Sequence, residues 1–273
     1  MNIMLPTNKK PFRLFVTIKA NRTVKMRIVV KDTRKPSTYY LNRTCDMVAG
    51  LKRQFVLKFP LSPEVMEISI FNQYNGNFQN DEDGSFTITE FKPDKLKTCP
   101  LWEDKLTHSF INFAEEFSEN GSVLSAGNKH PHVYRSNDGK FTIDYYGVIH
   151  DNGRAVSTPA RIGHNRGIIE LSKKAFLGYT VPMRMIILLH EFSHKWKNPK
   201  IGRPIGYETG ADINALKIYL SLGFPEIEAH RAFLTVFRNA KGEENHKRYK
   251  IINDFITKFN AGMIEGSCER NKA

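Results

Sequence analysis

The chain has 273 residues, of which 40% are hydrophobic, so it can bury the core of one large domain or two modest ones. Its formal net charge is +13, and Lys and Arg outnumber Asp and Glu by 17 to 9 in residues 1–99. No apolar run reaches the roughly 18–20 residues of a membrane span, and the first residues lack the apolar core of a secretory signal, so we expect cytoplasmic synthesis.

The first third of the chain alternates apolar and polar side chains with a period of two, which is typical of half-buried strands. Leu14, Val16 and Ile18 begin this pattern, and residues 24–30 continue it. The intervening residues 20–23 predict a hairpin between these two strands. Further strands are predicted over residues 54–59, 67–71 and 85–91. Five or more short strands separated by turns predict an antiparallel β-sandwich module over residues 1–95.

A polar segment over residues 92–100, bracketed by Pro93 and Pro100, predicts a linker to a second domain that covers residues 100–273. That domain opens with apolar side chains at helical spacing, which predict a backing helix that ends near Gly121. These side chains are Trp102, Leu106, Phe110, Phe113 and Phe117. A hairpin is predicted around residues 136–139. A further short strand is predicted at 168–171, just before the next predicted helix.

One predicted helix holds the side chains best suited to chemistry. Apolar residues recur at helical spacing from Met183 to Phe192 without a breaker, so this part is predicted to be a buried helix. His190 and His194, spaced i and i+4, lie on one face of such a helix and can point at one metal ion. Glu191 can reach a water molecule bound there. This spacing is that of an HExxH motif.

A second helical segment supplies two carboxylates at the same spacing. Glu208 and Asp212 are four residues apart, in a stretch whose apolar residues are spaced for a helix. A catalytic zinc needs three protein ligands and an open position, and two histidines with one glutamate are a common set. We therefore expect Glu208 to be the third ligand of a zinc ion. Asp212 is placed to accept a hydrogen bond from a ligating imidazole and fix its tautomer.

The two motifs together resemble those of gluzincins, zinc metallopeptidases in which HExxH is followed by a downstream Glu-x-x-x-Asp helix. The Glu-x-x-Ala-Asp form is similar to that of the CAAX-processing branch. The resemblance implies that His190, His194 and Glu208 bind zinc. It implies the role of general base for Glu191 and that of orienting partner of the first histidine for Asp212. More loosely, the segment is similar to predicted HExxH proteins of tailed bacteriophages.

The resemblance covers residues 179–223. It implies a mainly helical, zincin-like metallopeptidase domain, so the whole chain is expected to be α+β. It also implies that the strand at 168–171 is an edge strand that lines a cleft, and the alternative is an ordinary structural strand. Gluzincins also carry a group that stabilises the oxyanion of the tetrahedral intermediate. Here the sequence departs from the CAAX-type pattern, because no His-Pro precedes Arg248. His230 and Arg248 are the predicted catalytic partners of the general base, and Tyr207 and His246 are further candidates.

Two functions fit these observations. The first is a zinc-dependent endopeptidase that hydrolyses peptide bonds of a polypeptide substrate. The alternative is a structural or adaptor protein of a larger assembly, such as a phage virion, that retains a metallopeptidase-like fold and binds its partners through the basic residues 1–99. The positive charge also permits association with nucleic acid, although the chain has no recognisable nucleic-acid-binding motif. A membrane partner is not expected.

Overall fold

The structure is a computed structural model that describes residues 1–73, 84–99, 104–163, 167–196, 207–238 and 243–264. The chain divides into two compact units, Met1–Lys97 and Thr98–Ala273. It is a mixed α+β protein: antiparallel sheets form the first unit, and the helices of the described residues lie in the second. Among these residues, no helix combines the length and the apolarity that a membrane span needs.

Seven strands build the first unit as two antiparallel sheets, with strand orders β1-β6-β3-β4 and β5-β2-β7. Their bounds are β1 Asn2–Pro6, β2 Phe12–Ala20, β3 Val24–Asp32, β4 Tyr39–Met47, β5 Lys52–Phe59, β6 Val65–Asn72 and β7 Phe86–Lys95. Each sheet buries one face, because alternate side chains of a strand point to opposite sides. The buried set includes Leu14, Val16 and Ile18 of β2 and Met26 and Val30 of β3, each fully buried.

The hairpin predicted at residues 20–23 is wrong. β2 pairs with β5 and β7, whereas β3 pairs with β4 and β6, so this connection carries the chain from one sheet to the other. The alternation of apolar side chains fixes which face of a strand is buried, but it does not fix which strand lies beside it. Two strands that follow each other can therefore share a buried pattern without sharing hydrogen bonds.

The second unit combines a four-stranded sheet of order β12-β13-β9-β8 with six helices among the described residues. Its strands are β8 His132–Arg135, β9 Thr142–Tyr146, β12 Ala160–Ile162 and β13 Ile169–Ser172, with a separate short hairpin of β10 His150–Asp151 and β11 Arg154–Ala155. Its helices are α1 Lys105–Asn120, α2 Lys173–Phe176, α3 Val181–Lys195, α4 Tyr207–Ser221, α5 Glu226–Arg238 and α6 Glu243–Asn260.

The hairpin predicted around residues 136–139 is confirmed, since β8 and β9 pair in antiparallel fashion across it. The edge-strand prediction is wrong for 168–171. β13 lies inside the sheet, where it is parallel to β9 and antiparallel to β12. The edge is β12, a strand of three residues that is too short to show a periodic pattern in the sequence.

The backing helix α1 packs against α3 through aromatic rings. Asp104 caps its N-terminus by accepting a hydrogen bond from the backbone N–H of Thr107. Phe110 stacks on Phe192 with ring centroids 4.3 Å apart, and Phe192 in turn stacks on Trp196 at 4.9 Å. α1 therefore supports the last two turns of α3, which contain the HExxH motif. Trp102, which the sequence placed in this aromatic stripe, lies outside the described residues.

A fully buried cation ties the start of α3 to two other helices. Arg184 donates a hydrogen bond from Nε to the carbonyl oxygen of Phe176 at 3.1 Å and another from Nη1 to that of Ser118 at 2.9 Å. Both carbonyls belong to the last turns of their helices, α2 and α1, where a positive charge is favourable.

Replacing Arg184 with methionine should lower the free energy of unfolding by about 2–5 kcal/mol, because two buried carbonyl groups lose their donor. Denaturant titration of both proteins measures this difference. Lys174→Met is the matched control, since Lys174 is an exposed cation of α2 and its replacement should change stability by less than about 0.5 kcal/mol. Equal effects from both substitutions would contradict the role given to the buried guanidinium.

Candidate metal centre

The helix α3 carries the HExxH motif through the middle of the second unit. Pro182 stands in its first turn, where a missing N–H is harmless, and the residues up to Leu189 are buried. Thr180, which precedes the helix, donates a hydrogen bond to the buried carboxylate of Glu228 on α5 at 2.6 Å. α3 contacts α1, α4 and α5. Its position is therefore fixed on several sides before any ligand binds.

The two histidines and the predicted third ligand converge. Nε2 of His190 and Nε2 of His194 lie 3.0 Å apart. The Glu208 carboxylate approaches both rings, with Oε2 3.5 Å from Nε2 of His190 and Oε1 3.6 Å from Nε2 of His194. Ligand atoms from all three residues lie within 4.8 Å of one another. This group could hold a metal ion, and it is the one such group among the described residues.

Asp212 lies one turn beyond Glu208 on α4 and touches the first histidine. Its Oδ1 is 2.9 Å from Nδ1 of His190, a contact at ion-pair distance in which the carboxylate is not well aligned with the ring N–H direction. The Asp212 side chain is fully buried. Arg248 of α6 holds it from the other side, donating from Nε and Nη2 to the carboxylate at 3.0 and 2.8 Å.

The charged side chains of the site shift one another's pKa values. Burial alone would lower the pKa of His190, but Asp212 and Glu208 raise it to about 10. The hydrogen bond from His190 is the main reason that the pKa of Glu208 falls to about 2. Arg248 adds to that effect, with Nη2 3.3 Å from Oε2 of Glu208. Glu208 is therefore ionised at neutral pH, as a metal ligand must be.

Glu191 differs from the other carboxylates of the site. It is 7% exposed, and burial raises its pKa to about 7, against the opposing effects of His190 and the backbone N–H of Ile162. Ile162 belongs to the edge strand β12, so this strand and α3 meet at the glutamate. A carboxylate in such surroundings can take up and release a proton near neutral pH.

A cavity of about 460 Å³ opens beside these residues. Its polar side includes the three possible ligands, Glu191 and Arg248, and the edge strand β12 contributes all three of its residues. The apolar part of its lining comes from α3 and α5. Its members are Ile186, Ile187, Ala232, Phe233 and Val236. The site therefore combines a polar cluster with room for a bulky apolar group.

The candidates for an oxyanion-stabilising group fall in different places. Tyr207 lines the cavity, and its ring stacks on His194 with centroids 4.6 Å apart. Arg248 also lines the cavity, but its guanidinium is held by Asp212 and Glu208. His230 is not among the described residues that line the cavity; its ring meets that of Tyr249 at 6.0 Å. The side chain of His246 is exposed on α6.

Asn214 is a residue of the site that the sequence reasoning missed. It is 2% exposed on α4, and its Nδ2 donates to Ser193 Oγ at 2.8 Å and to the carbonyl oxygen of Trp196 at 3.0 Å. These partners lie on either side of His194. Asn214 therefore joins the two ligand-bearing helices at the end of α3. Its spacing from Glu208 and Asp212 gave no signal, because a buried amide has no periodic pattern of its own.

Replacing Asn214 with leucine should lower the affinity for zinc about tenfold, because the end of α3 loses its link to the helix that carries Glu208. Competition with a chromophoric chelator, well below the melting temperature, measures this affinity. The control is Arg184→Met, which weakens the other end of the same helix. If both variants lose zinc affinity equally, general destabilisation explains the result and the specific link does not.

Comparisons with known proteins add no assignment: no protein-family model matches this sequence, and a search of curated proteins finds no significant match. The geometry of the site is therefore the basis for assigning a function to this chain.

Proposed function

We propose that this protein is a zinc-dependent endopeptidase in which His190, His194 and Glu208 hold the metal and Glu191 is the general base. The observation that carries the proposal is the convergence of two imidazole nitrogens and one carboxylate beside a buried glutamate, at the edge of a cavity. The proposal includes a zincin-like domain of the gluzincin type, since the spacing of the two motifs is the one that resembles that group.

The donor set is the reason to expect zinc. Neutral imidazole suits zinc and other transition metals, whereas magnesium and calcium prefer sets made wholly of oxygen atoms. Two histidines and one glutamate leave a position open for water or substrate, as catalytic zinc sites do. Zinc held by such a set makes water more acidic and polarises a carbonyl group.

The chain's own residues would perform the remaining work. The Glu191 carboxylate would accept a proton from the attacking water and then donate it to the leaving nitrogen of the peptide. Asp212 would keep the ring of His190 in a fixed orientation, and Arg248 would hold the Asp212 carboxylate in place. The edge strand β12 lines the cavity, so its backbone could hydrogen-bond an extended peptide.

The test is metal analysis of the purified protein followed by a cleavage assay on unfolded polypeptides. We expect one zinc ion per chain, cleavage that stops when a chelator removes it, and recovery when zinc is restored. Zinc should also raise the melting temperature, because an ion that binds only the folded state stabilises it by mass action. A protein that binds no transition metal would contradict the proposed site.

One observation favours the alternative of an adaptor protein in a larger assembly, such as a viral particle. The guanidinium of Arg248 is engaged by two carboxylates, and His230 does not line the cavity within the described residues, so neither predicted oxyanion group is free in front of the ligands. A zinc-loaded protein that cleaves no polypeptide would support this alternative. If the protein does cleave polypeptides, Tyr207, which lines the cavity, is the first candidate for the oxyanion-stabilising group.

A further inference from the structure

The outer face of the sheet β5-β2-β7 in the first unit is rich in cations. Leu14, Val16 and Ile18 of β2 point into the core, so the residues between them point outward together with the side chains opposite them on β5 and β7. This outer face carries five cations and two carboxylates. They are Arg13, Lys19, Lys52, Lys58 and Lys92, with Glu90 and Asp94.

Both carboxylates are already engaged within the face. Asp94 accepts hydrogen bonds from Nε and Nη2 of Arg13 at 3.0 and 2.5 Å. Glu90 accepts one from Thr17 at 2.6 Å and one from Gln54 at 3.0 Å. The hydrogen bonds of both carboxylates therefore come from Arg13, Thr17 and Gln54 and not from the lysines of this face.

Two of these lysines lie directly opposite each other. Lys19 of β2 pairs in register with Lys52 of β5, and both side chains are exposed. Like charges opposite each other on neighbouring strands destabilise a sheet. Neither lysine forms an ion pair within the described part of the chain, and neither does the exposed Lys92. Glu90 attracts Lys52 and Lys92, but five cations against two carboxylates still leave this face with a formal net charge of +3, which an anionic partner would offset.

The side chains at the centre of this face indicate which kind of anionic partner would fit the surface. Phe15 and Val56 stand opposite each other between the charged rows, and Val56 is 45% exposed. Single-stranded nucleic acid binds by stacking bases on open aromatic rings. The ring of Phe15 is covered by the guanidinium of Arg13, 4.9 Å from its centroid, and Asp94 holds that guanidinium in place. An apolar side chain of a polypeptide could instead pack against Phe15 and Val56 without stacking on the face of the ring.

We propose that the outer face of β5-β2-β7 is a docking surface for an acidic polypeptide segment with interspersed apolar side chains. Lys19, Lys52 and Lys92 would contact its carboxylates, and the central pair Phe15 and Val56 would contact its apolar side chains. This surface belongs to the first unit and does not depend on the metal centre. Binding of an acidic segment can therefore be tested separately from the peptidase activity.

The test uses the full chain and a fluorescent peptide of alternating glutamate and leucine, measured by anisotropy at low and high salt. We expect Lys52→Glu to weaken binding roughly fivefold to tenfold at low salt, with the difference shrinking as salt screens the charges. The same change should alter the melting temperature little, because the attraction gained opposite Lys19 is offset by the attraction lost with Glu90. A lysine kept only for the fold would change the melting temperature and leave peptide binding unchanged.

Lys25→Glu is the matched control, since it reverses one charge on the outer side of the other sheet, where Lys25 lies opposite Asp46. It should leave peptide binding within about twofold of the unchanged protein, because its charge lies outside the proposed surface. Equal losses from Lys25→Glu and Lys52→Glu would show attraction to net charge alone and overturn the proposal. So would absence of peptide binding at low salt. Tighter binding of a single-stranded oligonucleotide, abolished by Lys52→Glu, would assign the surface to nucleic acid instead.

Discussion

Replacing Glu191 with glutamine should abolish peptide cleavage while leaving zinc affinity and folding nearly unchanged. Glutamine has the same shape but cannot accept the proton of an attacking water, and general-base catalysis contributes about 10²- to 10⁴-fold to the rate. Glu191 is not one of the three possible ligands, so the metal should stay bound. Cleavage of an unfolded polypeptide at measured, equal zinc content is the measurement.

Glu116→Gln makes the same chemical change at an exposed position of the backing helix α1 and should retain full activity. Cleavage by the Glu191→Gln variant at the unchanged rate would remove Glu191 from the mechanism, even if zinc is present. Loss of zinc in that variant would instead mean that Glu191 is a ligand, and the assignment of the three ligands would have to be revised.

Replacing Glu208 with alanine should remove most of the zinc affinity, because it deletes the carboxylate that faces both imidazoles. We expect a larger loss than the roughly 10- to 100-fold that follows from deleting an outer hydrogen-bonding partner of a ligand. Asp212→Asn provides that comparison, since it keeps the shape of the side chain beside His190 but removes its charge. Competition with a chelator ranks the three proteins.

The order of these affinities decides the assignment. If Asp212→Asn loses more zinc affinity than Glu208→Ala, then Asp212 is the better candidate for the third ligand. The geometry argues against this outcome, because Asp212 approaches Nδ1 of His190 and not the Nε2 atoms that face each other.

Much of the candidate site could be predicted from the sequence, because it depends on local spacing. A helix brings residues i and i+4 onto one face, and this rule alone placed His190 beside His194 and Glu208 above Asp212. That the two helices meet is a tertiary fact, which the structure supplies. Roles that depend on distant parts of the chain were harder to predict. Arg248 was proposed as a catalytic partner of the general base, and it does reach the site from α6, but its guanidinium contacts the carboxylates of α4.

The sheets were harder to predict for a physical reason. Alternating side chains identified β2 and β3, but β4 carries polar residues on much of its length and β1 is mostly exposed, so neither shows a clean pattern. Pairing between strands depends on contacts between residues far apart in the sequence. The same limitation explains the hairpin wrongly predicted at 20–23 and the edge strand wrongly predicted at 168–171.

The engagement of Arg248 by Asp212 and Glu208 has a consequence for charge balance at the centre of the second unit. Zinc binding requires His190 to release the proton that its raised pKa, about 10, keeps on the ring at neutral pH. Counted formally without that proton, the single guanidinium stands against the three carboxylates of Asp212, Glu208 and Glu191 and leaves two negative charges. A divalent cation would bring the group to formal neutrality, whereas a monovalent ion would not. Filling the site would therefore relieve repulsion between carboxylates carried by α3 and α4. The ion would then hold the two helices together in addition to its part in the chemistry.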